Sequence, residues 1–231
     1  SAEGGGTVTS SNLVIGAIQP YKGNYGISRN PESFAVYGYR KYFTDKDRNA
    51  VLRLSNDGLT EISNYGMSDF FRDQLSALNQ TNPIKAGKAV GGWDIHNKNY
   101  VASLQKTPSR VSSASSSFET VAFDEKINGW VSFFSYKPDM LFSVVNRFYT
   151  VNKSNLYEHY DESTAGNRNV FYGNRTKSSI TFVFNEQPSV VKNFQTINYE
   201  GSNGWEVYRY SSGFTGFDKT SITYSQSQDI T

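Results

Sequence analysis

The sequence predicts an all-β protein made of repeated antiparallel hairpins. A propeller-like arrangement is the first expectation and a β-sandwich the alternative, with one short packing helix near 68–78. Three observations predict this. Aromatic residues make up 15% of the chain, with 16 Tyr and 16 Phe, set among many Ser, Thr, Asn and Gly, a composition of strands joined by turns. Several segments alternate apolar and polar residues with a period of two. A hairpin-like motif recurs four times.

The 231 residues are enough for one sizeable core. The organisation expected is a flexible arm over 1–11, a hairpin-repeat domain over 12–212 and a polar tail over 213–231. The start "SAEGGG", without Met, suggests a piece of a longer polypeptide. A mean hydropathy of −0.56 with this aromatic content describes a chain that folds. The net charge of +2, with 23 basic and 21 acidic residues, gives no electrostatic footprint for nucleic acid. No apolar run is long enough for a membrane-spanning helix. The chain has no cysteine, which excludes disulfides, thiolate catalysis and Cys-based zinc sites.

Taken in order, "NLVIGAIQPYKGNYGI" reads as a short strand and turns. "SFAVYGYRKYF" (33–43) alternates and reads as one strand. "AVLRLSNDGLTEIS" carries a tight turn at "NDG" (56–58). "MSDFFRDQLSALN" (67–79) reads as the helix, with Ser68 as N-cap and Phe71, Leu75 and Leu78 on one face. Beyond residue 89 only strands and turns are expected. "PSRVSSASSS" (108–117) reads as an exposed loop. "SSITFVFNEQPSVV" (178–191) reads as a strand broken at Pro188, with Ile180, Phe182 and Phe184 on one face. "INYEGSNGWEVYRY" reads as a hairpin turning at "GSNG".

The repeat aligns "YFTDKDRNAVLRL", "GWDIHNKNYVASL", "AFDEKINGWVSFF" and "FYTVNKSNLYEHY" on Asp45, Asp94, Asp124 and Val151. Six residues later come Val51, Tyr100, Trp130 and Tyr157, with Asn49, Asn99, Asn128 and Asn155 between. An Asp side chain accepts backbone N–H groups two residues on and so starts a turn. Asn and Gly tolerate the positive φ of the return, and "NG" at Asn128–Gly129 is the strongest such signal. Asp45, Asn49, Asp94, Asn99, Asp124, Asn128, Gly129 and Asn155 are therefore expected as hairpin-turn residues, with Trp130 buried. The reference positions lie 49, 30 and 27 residues apart. The last two spacings suit one hairpin each, or two per blade, since a propeller blade takes roughly 40–50 residues.

No catalytic residues are expected. Asp124 and Glu125 are adjacent, so along a strand they would face opposite ways, unlike the facing carboxylates of a glycosidase. "DKDRN" (45–49) begins like a calcium loop, but Ala50 and Asn56 stand where Gly and Glu belong. His96 and His159 read as exposed turn residues. Trp93, Trp130 and Trp205 are candidates for stacking on a sugar, though aromatics at strand positions are more often packed inside. No metal or cofactor is expected.

"GGWDIHNKNYVASL", "FDEKINGWVSFFSYKPDMLFS", "RFYTVNKSNLYEHY" and "SSITFVFNEQPSVVKNFQTINYEGSNGW", with "GMSDFFRDQL", together resemble large virion structural proteins of tailed phages. Marine cyanophages and crAss-like phages carry such proteins, with tail, nozzle-stabilising or baseplate-associated roles. The resemblance covers roughly residues 50–207 and leaves out the arm and the tail after about 210. It implies a non-enzymatic virion part of the tail, neck or baseplate. Such a part contacts other copies of itself and other virion proteins in a symmetric assembly, with neither nucleic acid nor membrane as a partner. A receptor-recognition module that binds a host glycan is the alternative.

Overall fold

The computed structural model describes residues 21–78, 87–106, 117–163, 168–184, 186–192, 209–211 and 218–220. The chain divides into two compact units, 1–179 and 180–231. Among the described residues it is a β protein with one α-helix.

The first unit holds three consecutive meanders and a small hairpin. β1 (Ala35–Tyr37), β2 (Arg40–Asp45), β3 (Ala50–Ser55) and β4 (Gly58–Glu61) form sheet A. α1 (Ser68–Ser76) follows, after a 3-10 turn at Ile62–Asn64. β5 (Lys88–Asp94), β6 (Asn99–Gln105), β7 (Phe118–Asp124) and β8 (Gly129–Phe134) form sheet B. β9 (Met140–Val144), β10 (Arg147–Asn152) and β11 (Asn155–Glu158) form sheet C, and β12 (Val170–Phe171) pairs with β13 (Asn174–Arg175). All these pairings are antiparallel.

Sheet B is the middle layer. Alternation along its strands puts Ala89, Trp93, Tyr100, Ala102, Leu104, Val121 and Phe123 on one face. There they pack with Tyr42 and Val51 of sheet A and with Phe71 and Leu75 of α1. Val90, Val101 and Ala122 on the other face pack with Leu141 and Phe148 of sheet C and with Tyr136. Every residue of β6 is buried, as a strand covered on both faces requires. β5 lies against β1 on one side of the layer and β9 on the other.

The glycine pair of "GGWD" makes this close stacking feasible. A Cβ on Gly91 would collide with the Ser33 carbonyl and lie 2.6 Å from the Tyr100 hydroxyl. A Cβ on Gly92, on the opposite face, would lie 2.5 Å from Leu141 Cβ. Consecutive strand residues point to opposite faces, so two adjacent glycines admit one neighbouring layer each.

Several sequence expectations change in detail. Residues 33–43 are not one strand: Gly38, at φ +57, turns β1 into β2 through Gly38–Tyr39. Ser68 is the first helical residue rather than the cap; Met67 holds the cap position without a side-chain hydrogen bond. Phe71, Leu75 and Leu78 are buried as one face. The "NDG" turn joins Ser55 to Gly58. In the second unit the described residues 180–184 and 186–192 carry no assigned strand. The chain turns where Val190 N–H donates to Gln187 O at 3.0 Å. β14 (Arg209–Ser211) pairs there with β15 (Asp218–Thr220). The arm 1–11, the expected loop 108–117 except Ser117, the "GSNG" turn and most of the tail lie outside the described residues.

The glycine argument is testable by thermal unfolding. Gly92→Ala is expected to destabilise the protein by about 2–3 kcal/mol, the cost of overpacking a closed core. Gly129→Ala, whose Cβ would meet nothing closer than 3.7 Å, is expected to be close to neutral.

Candidate functional site

The polar chemistry of the first unit concentrates at its hairpin turns. In three of them the same geometry recurs. Asp45 pairs with Ala50, Asp94 with Asn99 and Asp124 with Gly129 across a four-residue loop. Asp45 Oδ1 accepts the N–H groups of Asp47 and Arg48 at 3.2 and 3.3 Å. Asp94 Oδ1 accepts those of His96 and Asn97 at 2.9 and 3.2 Å. Asp124 Oδ1 accepts those of Lys126 and Ile127 at 2.7 and 3.4 Å. The fourth loop residue is left-handed each time: Asn49 (φ 55), Lys98 (φ 58) and Asn128 (φ 51). In the second hairpin that role falls to Lys98, and Asn99 is already the first residue of the returning strand. The fourth motif copy is a different turn. Asn152 pairs with Asn155 across Lys153–Ser154, both at positive φ, as in a type I′ turn.

The second carboxylate oxygen of each Asp reaches beyond its turn. Asp45 Oδ2 accepts from Gly26 N–H at 2.9 Å and from Arg48 Nη1 at 3.1 Å, and the Ser28 hydroxyl donates to Oδ1 at 2.6 Å. Burial alone would raise this carboxyl; the Ser28, Gly26 and Arg48 donors outweigh it and hold Asp45 below the usual carboxylate range. With Arg48 seated on it, the "DKDRN" loop has a cation of its own. Asp94 Oδ2 accepts from the Asn97 amide at 3.0 Å and from the Tyr160 hydroxyl at 2.7 Å, tying sheet B to the segment after β11. With the Asn99 amide assigned so that its nitrogen faces the neighbouring acceptors, it donates to Asp124 Oδ2 at 3.3 Å and joins the two hairpins of sheet B.

Glu125 tightens the contact between layers A and B. Its carboxylate accepts from the Tyr42 hydroxyl at 2.6 Å and from Arg53 Nη1 at 2.9 Å, with Arg40 at 3.7 Å. The Glu125 and Arg53 side chains are 9% and 11% exposed. Burial, then the bond to Glu125, pushes the Tyr42 hydroxyl far above its ordinary pKa, so it acts as a donor throughout the physiological range. Five residues on, the Trp130 indole N–H donates to Ile62 O at 3.0 Å, beyond sheet A. Trp130 is partly buried against Phe71 and Phe123.

Trp93 is 6% exposed, inside a stack that runs Tyr37–Trp93–Tyr42–Tyr100 with centroid spacings of 4.3, 5.4 and 4.9 Å. Both faces of its ring are taken, which leaves none for a sugar. Trp205 lies outside the described residues. His96 is exposed on its loop and stacks on Tyr160. His159 differs from the turn residue expected: it is packed among Tyr136, Phe148 and Phe171. Its ring Nε2 lies 2.7 Å from Thr150 Oγ1. Tyr172 donates to that same oxygen at 2.8 Å, which leaves the Thr150 proton for a neutral His159. Burial lowers the His159 pKa to about 4, against a small opposing pull from Asp94.

Sequence reasoning missed Tyr42, Arg53 and Tyr160 as polar partners. Each lies tens of residues from the carboxylate it binds, and no local pattern marks it. Among the described residues no cluster of His, Asp and Glu is arranged to hold a metal ion, and no helix is long and apolar enough to cross a membrane.

Comparison with known proteins points one way. The family model for the crassvirus muzzle protein C-terminal domain matches residues 166–231, a region that includes the tail left out of the resemblance above. The muzzle protein of Bacteroides phage crAss001 is 31% identical over 87 residues, which is 37% of this chain. The chain thereby spans 6% of that relative's length. Both matches support the crAss-like part of the resemblance read from the sequence.

Two outcomes follow from this geometry. Arg53→Met is expected to lower stability by about 3 kcal/mol in chemical denaturation, because it leaves Glu125 charged and enclosed. Arg53→Met combined with Glu125→Leu is expected to recover much of that loss. The folded state keeps His159 neutral while the unfolded chain takes up a proton near its ordinary value. Stability is therefore expected to be flat above about pH 6.5, to fall toward pH 4 by up to roughly 1.4 kcal/mol per unit, and to flatten below. His159→Gln is expected to remove that component of the pH dependence.

Proposed function

We propose that this chain is a non-enzymatic structural component of a crAss-like phage virion, acting in the tail, neck or baseplate through protein–protein contacts. The match of residues 166–231 to the crassvirus muzzle C-terminal domain carries this reading, and the muzzle protein of phage crAss001 supports it. The geometry agrees in kind. Asp45 and Glu125, carboxylates that the sequence offered for chemistry, bind donors from other segments of the first unit, as does the turn residue Asp94.

The arrangement of the sheets favours propeller-like stacking. Sheets A, B and C are successive meanders, each packed face to face on the next, and their first strands β1, β5 and β9 lie side by side. Successive propeller blades are related in this way.

Mass spectrometry of purified particles, with electron microscopy of the tail, tests the proposal. The chain is expected at fixed stoichiometry in intact virions. Its absence from particles, or hydrolysis of host polysaccharide by the purified protein, would overturn the reading.

A further inference from the structure

Among the described residues of the first unit, sheet C is covered on one face only. Leu141 and Phe148 pack toward sheet B, and the Ser143 hydroxyl donates to Trp93 O at 2.5 Å on that side. Alternation turns Met140, Phe142, Val144, Tyr149, Val151 and Leu156 the other way. They form cross-strand rows, Met140–Val151–Leu156 and Phe142–Tyr149, with Phe142 and Tyr149 stacked at 5.8 Å. Met140, Val144 and Leu156 are 57%, 51% and 61% exposed. At the β9–β10 tip Val145 is 87% exposed and sits at φ +46. A β-branched residue is strained there and Asn or Gly would not be. At the rim of this apolar face Arg147 Nη1 bonds Glu158 Oε1 at 2.6 Å.

We propose that this face of sheet C is an interface between two copies of this chain, packed sheet on sheet. The charges choose the occupant. One cation and one anion on neighbouring strands are self-complementary under a two-fold axis, which sets Arg147 of each copy against Glu158 of the other. The interior rows supply the flat apolar surface that a second sheet needs. Three strands of about five residues cover roughly 250 Å² in plan, from the strand spacing and rise. The contact is therefore small beside a standard stable interface and weak for an isolated pair, and is reinforced where copies are held together. The choice of a second copy rests on the structural-component reading above, in which one chain recurs in a particle.

Sedimentation velocity from micromolar to millimolar protein tests the interface. The weight-average mass is expected to rise from 25.9 kDa toward twice that value. Leu156→Arg is expected to weaken association at least tenfold, while Ile127→Arg, an exposed loop position elsewhere, leaves it unchanged. Arg147→Glu and Glu158→Arg are each expected to weaken it, and the double exchange to restore it, which a purely apolar contact would not do. Because the chain has no cysteine, Leu156→Cys also gives a single thiol for cross-linking by a short bis-maleimide. A monomer at every concentration, or a dimer indifferent to Leu156→Arg, overturns the interface. Either result leaves the detection of the chain in virions as a separate question.

Discussion

The burial of strands β5 and β6 of sheet B on both faces is the constraint on which the rest of the first unit depends. A sheet with one wet face can discard polar groups into solvent; this one cannot. Several of its buried polar side chains are tied to one another and to nearby backbone, while Trp93 Nε1 and Gln105 Oε1 have no hydrogen-bond partner among the described residues. Thr120 Oγ1 lies 2.9 Å from Ser103 Oγ and donates to Tyr136 O at 2.7 Å. Gln105 Nε2 donates to Pro138 O at 2.5 Å. These bonds bring the segment between β8 and β9 back across the sheet, and so position sheet C. The glycine pair at 91–92 belongs to the same constraint, since both flanking layers approach β5 at one place.

The turn carboxylates meet a second demand, the alignment of layers in register. Apolar faces slide over one another at little cost, whereas a buried carboxylate with directed donors has few acceptable positions. Glu125 with Tyr42 and Arg53 fixes sheet B against sheet A, and Asp94 with Tyr160 ties it to the segment that follows β11. A buried ion pair is weak evidence for stability, because desolvation offsets much of the attraction. Its effect here is to define one stacking among several that the apolar surfaces alone would permit.

These features suit a part whose work is to hold shape. Of the tryptophans that suggested sugar binding, Trp93 lies in an aromatic stack between layers and Trp130 packs on Phe71 and Phe123, and the carboxylate pair at 124–125 divides into a turn former and an interlayer anchor. The same layered logic identifies a face of sheet C whose apolar rows turn away from sheet B among the described residues, together with a rim that suits a copy of itself.

The sequence by itself determined the strand-and-turn class, the helix face of Phe71, Leu75 and Leu78, and the turn chemistry of "DEKINGW". Those signals are local: side-chain alternation, an Asp two residues from the amides it binds, an Asn that accepts positive φ. It placed the left-handed residue one position late in the second hairpin, because Lys98 adopts that conformation without a residue type that advertises it. It read 33–43 as one strand, because one glycine in an alternating aromatic run does not reveal which way the chain turns. Only the tertiary structure decided that sheet B lies between two others, that Glu125 meets Arg53 and Tyr42, and that His159 packs among aromatic rings. Those facts depend on which faces meet across tens of residues, and a local pattern specifies a face without specifying what covers it.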